Sequence, residues 1–440
     1  MSDSTGKESH TAPSPNDASR IASWYYRPRG LTDPARVRGC LTWTFVTDST
    51  VTRLRPFATT IFAEMTDLAV RHAAVNLGQG FPDSDGPAAM LETARAAIAD
   101  GLNQYPPGRG MPGLRAAIAA DRARRYGTEY DPDREVLVTV GATEAIAAAM
   151  LGLIEPGAEV VLIEPYYDSY AAAVALAGAH RRTARLVPDG DGFALDLDSV
   201  RAAISPTTRM IVVNSPHNPT GTVLSRAEST AIAELACEHD LLVVTDEVYE
   251  HLTYDGHEHV SLSTLPGMQD RTVVISSAAK TFSVTGWKIG WACGPAELID
   301  AALAAKQFLT FVGGAPFQPA VAYALEHEQA WVTAQRAVLS AKRLRLAAAL
   351  ADAGLAVHRS SGSYFVCAGI AGLGERDALA FCRALPGRIG VAAVPVSVFA
   401  DDRAAWNSLV RFTFCKRDET LAEGMHRLAR LPTGPPPTVP

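Results

Sequence analysis

The sequence predicts an α/β protein: a largely parallel sheet covered by helices on both faces, followed by a smaller α+β domain. Two features carry this expectation. Through the middle of the chain, short apolar runs alternate with alanine-rich amphipathic stretches, the order in which parallel strands and crossover helices succeed one another. From residue 319 to about 432 the pattern changes to a long Ala/Arg/Leu helix at about 325–354, then "GSYFVCAG", a further helix, "GVAAVPVS" and "SLVRFTFCK".

Taken in order, the strand candidates are "EVLVTV" (135–140), "EVVLIE" (159–164), "TRMIVVN" (208–214), "LLVVTD" (241–246) and "RTVVISS" (271–277). Runs this apolar suit strands buried on both faces. "SRAESTAIAELACEHD", before the fourth of them, has helical periodicity. Residues 1–50 are rich in Ser, Thr, Pro and Asp and then in Arg and Pro without periodicity, so they are expected to be a disordered or non-native extension, with Val51 a candidate natural start. The remaining expected divisions are an N-terminal arm at 51–90 contributing to the small domain, a large domain at 91–318, the small domain at 319–432 and a disordered proline-rich tail at 433–440.

Composition bounds the function. At 440 residues with 48% hydrophobic content the chain can bury a large core, and its net charge of −7 argues against a constitutive nucleic-acid binder. Six scattered cysteines, without a C-x-x-C pair or zinc-ligand spacing, are expected to be reduced and mostly buried, which suits a cytoplasmic compartment. No apolar run approaches the roughly 20 residues needed to span a bilayer, and no secretory leader is visible.

The chemistry gathers at the carboxyl ends of the strands, where open parallel sheets collect ligands. "VLVTVGATEAIAAAM" is a strand, a glycine turn and a helix start, so amides near Ala142 and Thr143 would face an anion with the helix dipole behind them. Taken alone this is an ordinary βα turn. "NSPHNPTG" presents Asn218 on a rigid loop, and "VVTDEVYEH" places Asp246 at a strand end with Tyr249 three residues on. A desolvated aspartate needs a cation. Of only six lysines, two fall in "SSAAKTFSVTGWKIGW": Lys280, hemmed in by small and apolar residues that would lower its pKa, and Lys288, which with Ser277 could neutralise a phosphate. Pyridoxal 5'-phosphate uses all of these together, since it needs an amine for its aldehyde, a carboxylate for its pyridinium nitrogen and a phosphate cradle.

Over roughly residues 50–432, the combination of "NPTG", "TDEVY" and "SSAAKTFSVTGWKIGW" resembles the class I/II aminotransferases of the fold-type I pyridoxal-phosphate superfamily. Within it, "NLGQGFPD", "NQYPPG", "TVGATEAI", "EPYYDSY", "PHNPTG", "PVSVF" and "VRFTFCK" are similar to the kynurenine, glutamine and methionine transaminase branch and to the actinobacterial N-succinyldiaminopimelate aminotransferases. The resemblance implies a large domain with a mainly parallel seven-stranded type of sheet, a homodimer with shared active sites, and small amino and oxo acids as substrates. It implies a role for each matching residue. Lys280 would join the cofactor aldehyde and later shuttle the proton between the substrate α-carbon and C4′. Asp246 would keep the pyridine nitrogen protonated. Asn218 and Tyr249 would bond the phenolic oxygen, Tyr167 would stack on the ring, and Ala142, Thr143, Ser277 and Lys288 would hold the phosphate with Tyr105 of a neighbouring subunit. Arg411 would grip the α-carboxylate, helped by the loop at Gly80 and by Asn218.

Singly, Arg411 could be a surface strand residue, Tyr167 core packing and Tyr105 a turn residue; their joint occurrence beside Lys280 and Asp246 reverses those readings. "GRGMPG" (108–113) follows no strand and places Pro112 where a helix should begin, so a dinucleotide site is excluded. "HEH" at 257–259 reads as solvent-exposed histidines, with no metal site expected. A DNA-binding regulator fused to this fold is rejected for want of a helix-turn-helix pattern; a β-lyase on the same scaffold remains an alternative. Gly313 and Gly314 in "TFVGGAPFQPA" are expected to leave room for a long substrate, favouring N-succinyl-LL-diaminopimelate with 2-oxoglutarate over kynurenine, and Arg109 and Lys306 are candidates for its distal carboxylates.

Overall fold

The computed structural model describes residues 50–58 and 60–431. The expectations for residues 1–49 and for the tail lie outside the described residues. Among these, the strands are β1 (Val75–Asn76), β2 (Val136–Val140), β3 (Glu159–Glu164), β4 (His180–Asp189), β5 (Gly192–Leu195), β6 (Thr208–Asn214), β7 (Leu242–Asp246), β8 (Thr272–Ser277), β9 (Ile289–Cys293), β10 (Ala356–Val357), β11 (Phe365–Gly369), β12 (Val391–Ala392), β13 (Val394–Pro395) and β14 (Leu409–Thr413).

The large sheet runs in the order β2-β9-β8-β7-β6-β3-β4-β5. Its centre, β8-β7-β6-β3-β4, is parallel, whereas β9 runs antiparallel to both β2 and β8, and β5 folds back on β4 as a hairpin. The hairpin adds an eighth strand to the seven expected. Alternation in the central strands supplies both faces: Val161, Ile163, Ile211, Val213 and Val243 enter one core, while Val160, Leu162, Met210, Val212 and Val244 enter the other. Each such buried side chain contributes about 1.5–3 kcal/mol. The helix Arg226–Glu238 begins with a capping box between Ser225 and Glu228, and the helix Pro112–Tyr126 ends on left-handed Gly127.

A four-stranded antiparallel sheet, β10-β11-β14-β13, and the parallel pair β1-β12 form the second core. Met65 and Leu77 of the N-terminal arm are buried there with Phe412 and Leu421. The long helix expected at about 325–354 is Gln329–Asp352, and the helix Phe317–His327 precedes it, separated at Glu328. The preceding helix carries Ala320, Val321 and Ala324 into the core that holds Met90 and Leu114, so it packs with the large sheet's helices although its sequence sits beyond the expected boundary. Among the described residues no helix is long and apolar enough to cross a membrane.

Candidate active site

Because β2, β6, β7 and β8 run the same way, their carboxyl ends deliver Gly141, Asn214, Asp246 and Ser277 to one edge, around a cavity of about 320 Å3. Gly80, Ala142, Thr143, Tyr167, Asn218, Asp246, Tyr249, Ser277, Lys280, Lys288 and Arg411 all line it. Of the residues expected at the cofactor and the α-carboxylate only Tyr105 does not, and Arg109, Lys306, Gly313 and Gly314, expected at the distal end of the substrate, do not line it either.

Asp246 is buried, and its carboxylate accepts hydrogen bonds from the Tyr170 hydroxyl (2.5 Å) and the Val248 amide (3.3 Å). Burial raises its pKa above the ordinary aspartate value, with the Tyr170 and Val248 hydrogen bonds and the Lys280 charge opposing that rise. Paired Asn214 steadies the neighbouring strand end: its side-chain nitrogen donates to the Asp246 carbonyl (2.8 Å) and its oxygen accepts from the Asn218 amide (2.8 Å). That bond fixes the start of the loop bearing Asn218.

Lys280 sits in the short helix Ala278–Thr281 directly after β8. Its amine lies 5.6 Å from the Tyr364 ring centroid and 5.9 Å from that of Tyr249, with no hydrogen-bond partner among the described residues. Burial lowers its pKa to about 8; Lys288 and Arg411 push the same way, and Cys415 and Asp246 oppose them. Lys288 follows a 3-10 turn in the left-handed region at φ 55°, and its side chain passes 3.0 Å from where a Cβ on Gly141 would stand. Gly141 is itself at φ +75°, so glycine serves here both backbone and neighbour. The helix Gly141–Leu153 starts at this point, and its first amides have no intrahelical acceptor.

Arg411, on β14, is 1% exposed. Its Nη1 donates to the Asn218 side-chain oxygen and its Nη2 to the Gly78 carbonyl, both at 2.7 Å, while buried Nε has no hydrogen-bond partner among the described residues. The guanidinium lies 4.0 Å above the Phe365 ring, with Phe399 and Phe62 at 5.3 and 5.4 Å. Phe365 in turn explains Gly80, whose Cβ would stand 2.3 Å from that ring. Tyr249 is buried edge-on to Tyr364, which donates to the Gly80 carbonyl (2.6 Å). Burial pushes the Tyr167 hydroxyl up to about 12.

Tyr105 is 81% exposed and packs edge-on against Phe311. Neither candidate for the distal carboxylates is free: Arg109 pairs with Asp300, and Lys306 donates to the carbonyls of Gly108 and Phe311. The two glycines also answer to their own chain. A Cβ on Gly313 would lie 3.0 Å from Val140, and Gly314, at φ +66°, would place one 2.2 Å from Ile289. Backbone conformation and close packing therefore account for them without a substrate. The expectation of exposed histidines fails at His259, whose side chain is 3% exposed and reaches Glu247 at 3.1 Å, because a buried carboxylate draws it inward. Sequence reasoning missed Tyr170, Asn214, Phe62 and Gln79; Tyr170 and Asn214 lie inside stretches already singled out, but their partners are distant in the chain.

Residues 73–428 match the family model "Aminotransferase class I and II". The probable N-succinyldiaminopimelate aminotransferase DapC of Mycobacterium tuberculosis is 62% identical over 394 residues, covering 88% of this chain and 99% of that one. Methionine aminotransferase of Escherichia coli is 38% identical, over 86% of this chain and 97% of its own. The rat kynurenine–oxoglutarate transaminase 3 is 37% identical, over 82% and 86%. The solved structure of N-succinyldiaminopimelate aminotransferase from Mycobacterium tuberculosis superimposes with a TM-score of 0.86 at 63% identity, covering 87% of this chain and all 100% of that one. The chain belongs to the class I and II aminotransferases.

Proposed function

We propose that this aminotransferase uses pyridoxal 5'-phosphate to move an amino group between N-succinyl-LL-diaminopimelate and 2-oxoglutarate, as a cytoplasmic homodimer. The observation that carries the reading is one cavity holding an amine of lowered pKa, a buried carboxylate and a guanidinium with an unpartnered nitrogen. These residues fit the cofactor. Asp246 would meet the ring nitrogen, Asn218 and Tyr249 the phenolic oxygen, and Tyr167 the ring face. The Ala142 and Thr143 amides, Ser277 and Lys288 would receive the phosphate, joined by Tyr105 from the second subunit. When bound, the cofactor supplies an aldehyde that carries the amino group and a ring that accepts the electrons left at the α-carbon.

The chain's own residues do the rest. Arg411 orients the substrate by its α-carboxylate, beside Asn218 and the Gly80 loop. A burial-lowered pKa gives Lys280 a substantial neutral fraction near pH 8, so its amine could take the α-proton and deliver it to the cofactor's C4′. Phe62, Tyr167 and Phe365 line the site with rings that limit water. Dimerisation accords with the outward-facing Tyr105, Phe308 and Phe311. Among the described residues all the cysteines are free and only Cys237 is exposed, in keeping with a reducing compartment.

The substrate rests on the mycobacterial relative, whose identity far exceeds that of the methionine and kynurenine enzymes. Assay of amino donors and oxo acids, with N-succinyl-LL-diaminopimelate, glutamate, glutamine, methionine and kynurenine, tests it. The succinylated donor with 2-oxoglutarate is expected to give the highest kcat/KM. A preference for methionine, glutamine or kynurenine overturns that assignment, and pyruvate released from a cysteine conjugate without an oxo acid reveals β-lyase activity.

A further inference from the structure

The stretches 102–111 and 307–316 have little apolar support. Tyr105 is 81% exposed, Phe308 85% and Phe311 48%. Buried polar side chains hold them instead. Lys306, 2% exposed, donates from one ammonium to the Gly108 carbonyl at 2.8 Å and the Phe311 carbonyl at 2.7 Å. Gln318, 1% exposed, accepts from the Met111 amide at 2.7 Å and donates to the Gly313 carbonyl at 2.9 Å. Each side chain thus bridges the same two loops.

Their surroundings favour this arrangement. Gly110 lets the first loop lie against β2, since a Cβ there would stand 2.3 Å from Val138. Glu144, in the first turn of the helix that begins at Gly141, accepts from the Thr310 hydroxyl and from the Val140 amide. A buried ammonium hydrogen-bonded to carbonyls alone is costly, whereas an apolar side chain would fill the space without ordering either backbone. Burial disfavours the Lys306 charge and Glu144 partly restores it.

We infer that Lys306 and Gln318 are positioning residues that join the Tyr105 loop and the Gly313–Gly314 loop into one unit, and that this unit acts in the partner subunit's active site. The inference rests on the dimer proposed above. One loop carries the hydroxyl expected at the cofactor phosphate, the other the segment expected beside the distal part of the substrate. Tying them together couples cofactor affinity to the binding of long substrates.

The test uses the full chain with pyridoxal phosphate, carrying Lys306→Met or, separately, Gln318→Met. Both variants are expected to remain dimeric in sedimentation. Loss of an ordering contact should raise the cofactor Kd and the KM for N-succinyl-LL-diaminopimelate about tenfold each, while kcat with glutamate at saturating cofactor changes by no more than about twofold. Lys306→Arg should recover part of the loss. Heterodimers of Lys306→Met with Lys280→Ala then decide the geometry. Their one competent site combines Lys280 of the first chain with the intact loops of the second, so its affinities should return to wild type. Heterodimers that keep the defect overturn action across the interface, and a lowered Tm with unchanged affinities in both single variants overturns the positioning role. A monomeric, active wild-type chain removes the dimer reading itself, and action across the interface with it.

Discussion

Asp246 and Glu247 are neighbours in sequence and equally buried, yet they belong to opposite kinds of polar cluster. Glu247 and Glu250 share Arg122, whose Nη1 lies 2.9 and 3.1 Å from them. Every oxygen of the two carboxylates has a partner, with Ser261 and His259 on Glu247 and with Tyr126 and Ser276 on Glu250. Burial alone would raise Glu247, but Arg122 and then His259 bring it below its ordinary value. Asp246 faces the cavity without an ion pair among the described residues; burial raises its pKa, and the Lys280 charge only partly opposes that rise. The two carboxylates are thus engaged in holding the ends of β7 and β8, although among the described residues Arg122 Nε and both His259 ring nitrogens have no hydrogen-bond partner. The cavity leaves the Lys280 amine without a hydrogen bond among the described residues and with a pKa lowered to about 8, and a perturbed, unpaired amine facing a cavity marks where chemistry can occur.

The widest separation between the two clusters comes from Lys280→Ala. Turnover should fall on the order of 10⁴-fold, the upper range for a positioned proton-transfer group, with loss of the visible absorbance of bound cofactor and little change in Tm. A cofactor link that borohydride still reduces onto another lysine would remove Lys280 from this position. Arg122→Met should show the reverse. It leaves Glu247 and Glu250 side by side without their cation, a loss of about 3–5 kcal/mol of stability, while protein kept folded at low temperature retains its cofactor spectrum. Unchanged thermal stability would mean that the ion network is not what fixes the strand ends.

The same contrast explains what is legible in the sequence. Lys280, Asp246, Asn218 and Arg411 can be found because each stands in a strand or in the few residues that follow one, within a stretch whose local pattern is unusual. Tyr170 and the Arg122 cluster are not legible, since the Tyr170–Asp246 bond spans 76 residues and Arg122 reaches Glu247 across 125. Only folding brings these together. Among the elements, the central strands stand out through their unbroken apolar runs. β4 does not, because "HRRTARLVPD" exposes much of its length and carries charges there. β9 is hidden inside the motif "GWKIGWAC", which invites a functional reading before a structural one. The break at Glu328 lacks the glycine or proline that would announce it. His259 reads as solvated from its polar loop; its partner Glu247 is the missing information.

A smaller effect is expected from Arg411→Lys. A point charge cannot reproduce a planar fork held between Asn218 and Gly78 over the Phe365 ring. Loss of one charge-assisted contact, roughly 2–3 kcal/mol, should lower kcat/KM on the order of 10²-fold for donor and acceptor alike. Cofactor absorbance should stay the same. If it disappears as well, Arg411 is a structural cation of the same kind as Arg122.

The finest test concerns charge at the cavity itself. In cofactor-free protein the neutral form of Lys280 is the one that attacks an aldehyde, and its pKa is lowered to about 8. A lowered amine pKa means that the reactive fraction grows as pH rises and levels off above that value. The rate of cofactor capture should therefore increase through about pH 8, well below the ordinary lysine value of 10.5. Asp246→Asn removes a charge that favours the ammonium, so the midpoint should move down; Lys288→Met removes one that opposes it, so the midpoint should move up. Arg122→Met alters charges that do not appear among the causes acting on Lys280 and should leave the midpoint in place. Stopped-flow absorbance across the pH range measures all four proteins. A midpoint that follows Arg122 instead of Lys288 would mean that the two clusters, adjacent at Asp246 and Glu247, behave electrostatically as one.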